Sequence, residues 1–260
     1  MKRATLGQGL LTLSVFSVLL FAVLLRRPAV VEGQELGYRL PAGAPKEVED
    51  VVRGRVAALG LGAEVAREGD LLLIRIPKAK PEDVADVKRL LRRAGKLEFR
   101  VTADRDVQEK YKADGLVPAG YEAVEHDRKE IEHKKLLIRT TCALEGGRVI
   151  HAEPQSQLMP SGTSEWYVAF ELDAKGAAKF DDAAALLYAR RPPGMLAILL
   201  DGKLNSAPTV QTSKFGGSGR ITGVGGEREC KDLAIVLTAG ALPIPLGLEP
   251  EFERPFRQEK

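Results

Sequence analysis

Apolar and polar positions change period several times along this chain, and each change marks an element. Val48, Val51, Val52, Val56 and Leu59 fall on one face of a helix over Pro45 to Leu59. Gly60 and Gly62 end it. Ala63 to Arg67 and Leu71 to Ile76 are strand-length runs around the turn Glu68-Gly69-Asp70, and Pro77 closes the second. Pro81 suits a first helical position, with Glu82 and Asp83 at the positive end of the helix dipole. Val84, Val87, Leu90, Leu91 and Ala94 form that helix's apolar stripe; Gly95 stops it, and Lys96 to Val101 reads as a strand.

With Gly37 to Leu40 as a short first strand, the order is β-α-β-β-α-β. This predicts a ferredoxin-like base over residues 36–102, an antiparallel sheet with both helices on one face. Residues 103–135 are rich in Lys, Glu and Asp and read as a charged connecting insertion, with one helix from Glu122 to Lys134. Regular alternation resumes at 136–246, a second α+β unit. Its strands are Leu136 to Thr141, Arg148 to Ala152 and Trp166 to Leu172, with Gln155 to Glu165 as a mobile loop. A helix over Ala174 to Tyr188 puts Ala177, Phe180, Ala184 and Leu187 inward. The stretch from Pro193 to Leu246 is the most structured in pattern. Leu196 to Leu200 and Lys203 to Val210 flank Asp201-Gly202, a strong hairpin signal because a type I′ turn needs positive φ. Pro208 places the returning strand at an edge. A Gly-rich turn over Phe215 to Gly219, a strand at Arg220 to Thr222 and a helix from Glu227 to Gly240 complete it. Residues 247–260 read as a polar tail outside the core.

Residues 1–27 have another character. Ala4 to Leu25 carry no charge, and 22 helical residues span about 33 Å, enough for a bilayer core. A membrane anchor is favoured over a cleaved signal, because Arg26, Arg27 and Pro28 stand where small residues would mark cleavage. This segment also explains the formal charge of +3: without Lys2, Arg3, Arg26 and Arg27 the remaining chain is nearly balanced. The basic pI is therefore no argument for nucleic acid.

Catalytic chemistry finds little support. His126 and His133 stand seven apart, not at the i, i+4 spacing of a helical metal pair, and lie among Lys, Arg and Glu. Gly216-Gly217-Ser218-Gly219 is followed by a strand rather than the helix a phosphate loop needs. Ser161, Thr163 and Ser164 have no neighbouring base. Cys142 and Cys230 are open to pairing in an oxidising compartment, or to being a strand-end and a core residue. What remains are contact candidates. Trp166 and Tyr167 are adjacent in a strand, so one faces outward; Phe215 lies in a turn; Arg190 and Arg191 lie in a Pro-rich loop.

Several co-ordered stretches resemble the SecD family of bacterial protein-export subunits. Arg53-Gly-Arg55-Val56 with Leu59-Gly60, Arg67-Glu68-Gly69, Ile74 to Pro77 and Ala94 to Arg100 are similar to the base of its first periplasmic domain. Leu196 to Lys203, Ser206-Ala-Pro208, Gly216-Gly217, Ile221-Thr-Gly223 and Ala239 to Pro243 are similar to the head. The family's G-L-D-L-x-G-G motif is replaced here by Glu32 to Leu40. The resemblance implies a single-pass inner-membrane protein with its bulk on the periplasmic side. It would be a non-catalytic export accessory without cofactor or metal, meeting translocating polypeptide or Sec translocase subunits. The family continues into further membrane helices after the motif ending at Pro243, so proton-driven pulling is not expected of these 260 residues alone. An adaptor for another membrane complex and a degenerate or split SecD fragment are the alternatives; a hydrolase or metalloprotein ranks below both.

Overall fold

A computed structural model describes residues 30–126, 134–160 and 162–259. The expected membrane segment at 1–27, His133 and Ser161 lie outside them. Among the described residues no helix is long and apolar enough to cross a membrane. The architecture is α+β, and the described residues form thirteen strands, five α-helices and four sheets.

The first layer follows the expected order. Strand β1 (Val30–Arg39) leads to helix α1 (Glu47–Ala57), then to the hairpin of β2 (Glu64–Glu68) and β3 (Leu71–Pro77), then to helix α2 (Pro81–Leu91). Val48, Val52 and Val56 of α1 pack with Val84, Val87 and Leu91 of α2 over Leu36, Tyr38, Leu72, Ile74 and Ile76 of the sheet. Burying one aliphatic side chain is worth about 1.5–3 kcal/mol, so this stripe-on-sheet contact fixes the layer.

Two expectations are corrected here. The strand at Lys96 to Val101, expected as the fourth strand of this sheet, is β4 (Leu97–Val101) and pairs elsewhere, with β10 (Leu196–Leu200). Its place beside β1 is taken by β13 (Phe252–Glu259), from the segment read as a polar tail, giving the antiparallel order β13-β1-β3-β2. The burial patterns explain the exchange. Leu97, Glu98, Phe99 and Val101 are all buried, which suits an inner strand, whereas β13 alternates charge with Phe and contains Pro255, which suits an edge. Val30 to Gly37 extend β1 well beyond the short strand expected, because β13 pairs with them.

The second layer contains two sheets. One has the order β11-β10-β4-β7, with β11 (Lys203–Ser206) and β7 (Leu144–Glu145) outermost; the other has the order β12-β9-β8. Here β8 is Val149–Leu158, β9 is Ser164–Leu172 and β12 is Ser218–Ile221. Much of the stretch expected as a mobile loop over 155–165 therefore forms the arms of a hairpin, with Gln155 opposite Tyr167 and Ser156 opposite Trp166. Polar residues fit a strand whose one face meets water. The expected helix over 122–134 is corrected at its described start, its residues 127–133 lying outside the described residues. Tyr121–Glu125 is strand β5, paired with β6 (Lys135–Arg139), because the apolar run Leu136 to Ile138 needs a partner strand. The helix of this region lies earlier, as α3 (Arg105–Asp114).

Helices α4 (Ala174–Tyr188) and α5 (Glu227–Ala239) complete the layer. Asp173 caps α4, its carboxylate accepting from the Gly176 N–H at 2.6 Å. Phe99, Val168, Phe170, Phe180, Leu187, Ile198, Cys230, Leu233 and Leu237 form the shared core. The turn at Asp201-Gly202 has φ of 52° and 77°, both positive as a type I′ turn requires. The returning strand stops at Ser206, short of the Val210 expected; beyond Pro208 only a single bridge joins Met195 to Thr209.

Candidate functional site

A cavity of about 510 Å³ opens in the second layer. Phe99 comes from β4, Tyr167 and Phe170 from β9, Phe180 from α4, and Leu196 and Ile198 from β10. Pro208 to Gln211 and Phe215 to Arg220 close the rim. The rings form one cluster: Phe180 stands 5.3 Å from Phe99, 6.2 Å from Phe170 and 5.3 Å from Phe215, between centroids. Such tilted and edge-to-face pairs add about 0.5–1.5 kcal/mol each beyond area burial.

The Gly-rich turn has a clear purpose here. The Asp181 carboxylate accepts from the Phe215 and Gly216 N–H groups at 2.8 and 3.3 Å, which holds Phe215 at the rim, 37% exposed. A Cβ on Gly217 would stand 2.7 Å from that of Ala177, and one on Gly219 would stand 2.4 Å from the Phe170 ring. Glycine lets β12 lie directly on α4 and on that ring. Opposite, the Tyr167 hydroxyl donates to Gln155 Oε1 at 2.8 Å, and the Arg220 guanidinium lies 5.5 Å from the Tyr167 ring centroid. The site offers an apolar floor with a polar, cationic lip. It suits apolar side chains carried on something hydrated.

Of the five contact candidates, the structure brings Tyr167 and Phe215 together at this cavity. Trp166, on the face of β9 opposite Tyr167, packs against the core and does not line the cavity. Arg190 is engaged inside the protein: Nε pairs with Asp104 at 2.6 Å and Nη1 donates to the Thr102 carbonyl at 2.9 Å. Arg191 is exposed, and its Nη1 donates to the Tyr188 and Arg190 carbonyls at 3.1 and 2.9 Å. Both arginines border a separate cavity of about 880 Å³ with Thr102, Gln108 and Met195. The floor residues Phe99, Phe170 and Phe180 were not among the candidates. Their signal in the sequence was only that of inward-facing core.

Groups capable of other chemistry are dispersed. Cys230 is fully buried in the core, and Cys142 donates its thiol to the Leu144 carbonyl at 2.9 Å. Burial pushes both thiols up, away from the reactive thiolate. Among the described residues both cysteines are free, and no group of three His, Cys, Asp or Glu is placed to hold a metal.

The family model described as SecDF, P1 head subdomain, matches residues 122–244, which include most of the cavity wall. This chain belongs to the SecD family. The chain is 31% identical over 228 residues to the protein translocase subunit SecD of Magnetococcus marinus, covering 82% of this chain and 41% of that protein. It is 31% identical over 223 residues to the SecD of Rhodobacter capsulatus, covering 82% and 37%. The SecD-like chain thus spans about two-fifths of the length of these relatives. Its fold is similar to that of a SecDF crystal structure in a super-membrane-facing form, with a TM-score of 0.64, 21% identity and coverage of 94% and 35%. A second SecDF structure, described as a membrane component that enhances protein export, gives a TM-score of 0.59 at 21% identity, covering 82% and 96%.

Proposed function

We propose that this SecD-like domain acts in protein export as a non-catalytic accessory, its cavity holding apolar side chains of a translocating polypeptide. The observation that carries the reading is the exposed Phe215 ring, set at the cavity rim beside Tyr167 and Arg220 and packed on the buried cluster of Phe180, Phe99 and Phe170. A chain in transit is extended and exposes side chains that a folded protein buries. A rim aromatic over a dry floor takes such side chains without demanding a sequence. The mechanism is reversible binding, with Sec translocase subunits as the partners that present the chain.

On this reading residues 30–94 together with 252–259 form a ferredoxin-like base, and the head lies within residues 97–240, with 103–135 connecting its first strand to the rest. The order β13-β1-β3-β2 with two helices supports the base, β13 standing in for its fourth strand. The segment at 1–27 is a single membrane anchor, and the body lies on the periplasmic side. The test is a photo-crosslinking residue at Phe215, with a second at Leu158 on the far hairpin as control. Translocating precursor trapped at 215 and not at 158 supports the reading. Equal trapping at both positions, or trapping of an unrelated membrane protein alone, favours an adaptor.

A further inference from the structure

The cavity beside Phe215 has a main-chain wall as well as an aromatic one. Among the described residues β12 is the outermost strand of its sheet, with β9 on its inner side. The Leu172 N–H donates to the Gly217 carbonyl at 2.8 Å. In an antiparallel pair such contacts recur at every second residue. Gly219, opposite Phe170, and Ile221, opposite Val168, therefore turn their N–H and C=O groups to β9. Ser218 and Arg220 turn theirs outward. Both are exposed, and both line the cavity.

The cavity meets both faces of this sheet. Ser218, Arg220 and Tyr167 lie on one face and Gly219 and Phe170 on the other, and all five line it. A space bordered from both faces wraps the edge of the sheet. The segment from Pro208 to Gln211 lines the same space. There the Leu196 N–H donates to the Pro208 carbonyl at 3.0 Å, and the Val210 N–H donates to the Gly194 carbonyl at 2.9 Å. These bonds flank the Met195–Thr209 bridge, so the main-chain groups of Thr209 also point away from β10. The two arms are joined at one end, where the Asn205 amide donates to the Thr222 carbonyl at 3.0 Å.

We propose that the free edge of β12 receives an extended polypeptide as an added strand. Outward N–H and C=O groups match the main chain that every polypeptide carries, whatever its sequence. Strand alternation then sends successive side chains of the guest to opposite faces. One set turns to the side of Gly219 and Phe170, the apolar floor; the other turns to the side of Arg220 and Tyr167, the polar lip. Segments able to extend are favoured over helical or proline-rich ones. The four residues of β12, about 13 Å, make a short ladder that releases readily. The inference rests on the reading of the cavity as a polypeptide site, and names the main chain as what is recognised there.

Two fluorescent peptides of about eight residues, alternating Leu and Ser with Glu at both ends, test it on the full-length protein. They share every side chain, but one carries N-methyl groups on two successive central amides. Of two successive amides in a strand one faces β12, so the methylated peptide is expected to bind at least about tenfold more weakly by anisotropy. Ser218→Pro removes an outward N–H and is expected to weaken the unmethylated peptide to a similar degree, with circular dichroism unchanged. Should Ser218→Pro fail to fold, the peptide pair on the parent protein carries the test. Equal affinity of the two peptides, or a folded Ser218→Pro that binds as the parent does, overturns the added strand. If Phe215→Asp still weakens binding in that case, the polypeptide reading of the cavity stands without it. No binding of the unmethylated peptide to the parent overturns both.

Discussion

Arg55→Met keeps a side chain of similar reach but removes the guanidinium, and it is expected to be among the most damaging single changes in this protein. The carbonyls of Leu90, Arg93 and Gly240 lose a charged donor; that of Ala94 keeps the Leu242 N–H. A buried acceptor left unpaired costs about 1–3 kcal/mol, and breaking a buried charged network about 3–5 kcal/mol. An offset exists, because burial itself penalises the charge. It pulls the Arg55 pKa down to about 10, a value that still leaves the group charged at neutral pH. A net loss of about 3 kcal/mol follows, a large part of the roughly 5–15 kcal/mol that domains possess. With a guanidinium slope of about 5 kcal/mol/M for a chain of this size, the unfolding midpoint should fall by about 0.6 M. Arg53→Met is the control, on the same helix but exposed and paired with Glu49 and Asp50. Exposed pairs contribute about 0–1 kcal/mol, so its midpoint should move by less than about 0.2 M. Equal shifts in the two variants would refute the argument.

The edge strand β13 and the turn at Gly95 give two further predictions. Glu35, 2% exposed, accepts from Arg75 Nε at 2.6 Å and from Arg254 Nε at 2.8 Å, joining β3, β1 and β13. Burial alone would raise the Glu35 pKa, but the hydrogen bonds and charges of Arg75 and Arg254 outweigh it and hold the carboxyl below its usual range. Its contribution is therefore complete above the unfolded carboxylate pKa of about 4.3 and lost as pH falls through the lower folded value. Amide protection across 252–259, taken relative to the intrinsic exchange rate at each pH, should fall on that acid limb in the parent. In Glu35→Gln it should be low already at neutral pH; protection equal to the parent's there would sink the idea. Gly95→Ala places a Cβ 2.4 Å from Val236 Cγ1 and 2.7 Å from Arg55 Nη2 at a φ of +80°. A loss of about 2 kcal/mol is expected, read as a melting temperature several degrees lower, and an unchanged melting curve would contradict the close packing around Arg55.

Period and punctuation carried most of the element list. The helix at Ala174–Tyr188 is the one the apolar spacing predicts, and the Asp201-Gly202 turn has the dihedrals its residues require. Pairing was less legible, because local alternation shows that a strand exists but not which strand it joins. Leu97–Val101 looked like a base strand by its place in the order, yet Phe99 and Val101 face the core of the other layer. Phe252–Glu259 looked like a tail because its charges meet their partners only across long separations, as Arg254 meets Glu35. The cavity was half legible for the same reason. Tyr167 and Phe215 stood out as aromatics near turns, but its floor joins Phe99, Phe170 and Phe180 from three elements that only tertiary structure brings together. Arg190 read as a surface charge in a Pro-rich loop; its salt bridge to Asp104 across the fold has no local signature.

Fluorescence anisotropy reads the binding of an unfolded polypeptide at the Phe215 cavity. A reduced, permanently unfolded secretory precursor carrying a fluorophore would be titrated with the full chain and with Phe215→Asp, Tyr167→Asp and Arg191→Glu. Saturable binding is expected, which Phe215→Asp and Tyr167→Asp each weaken at least about tenfold, the cost of an uncompensated charge at an apolar contact, while Arg191→Glu leaves it within about twofold. Equal affinity in all four proteins, or no binding by the parent, would contradict binding at this cavity.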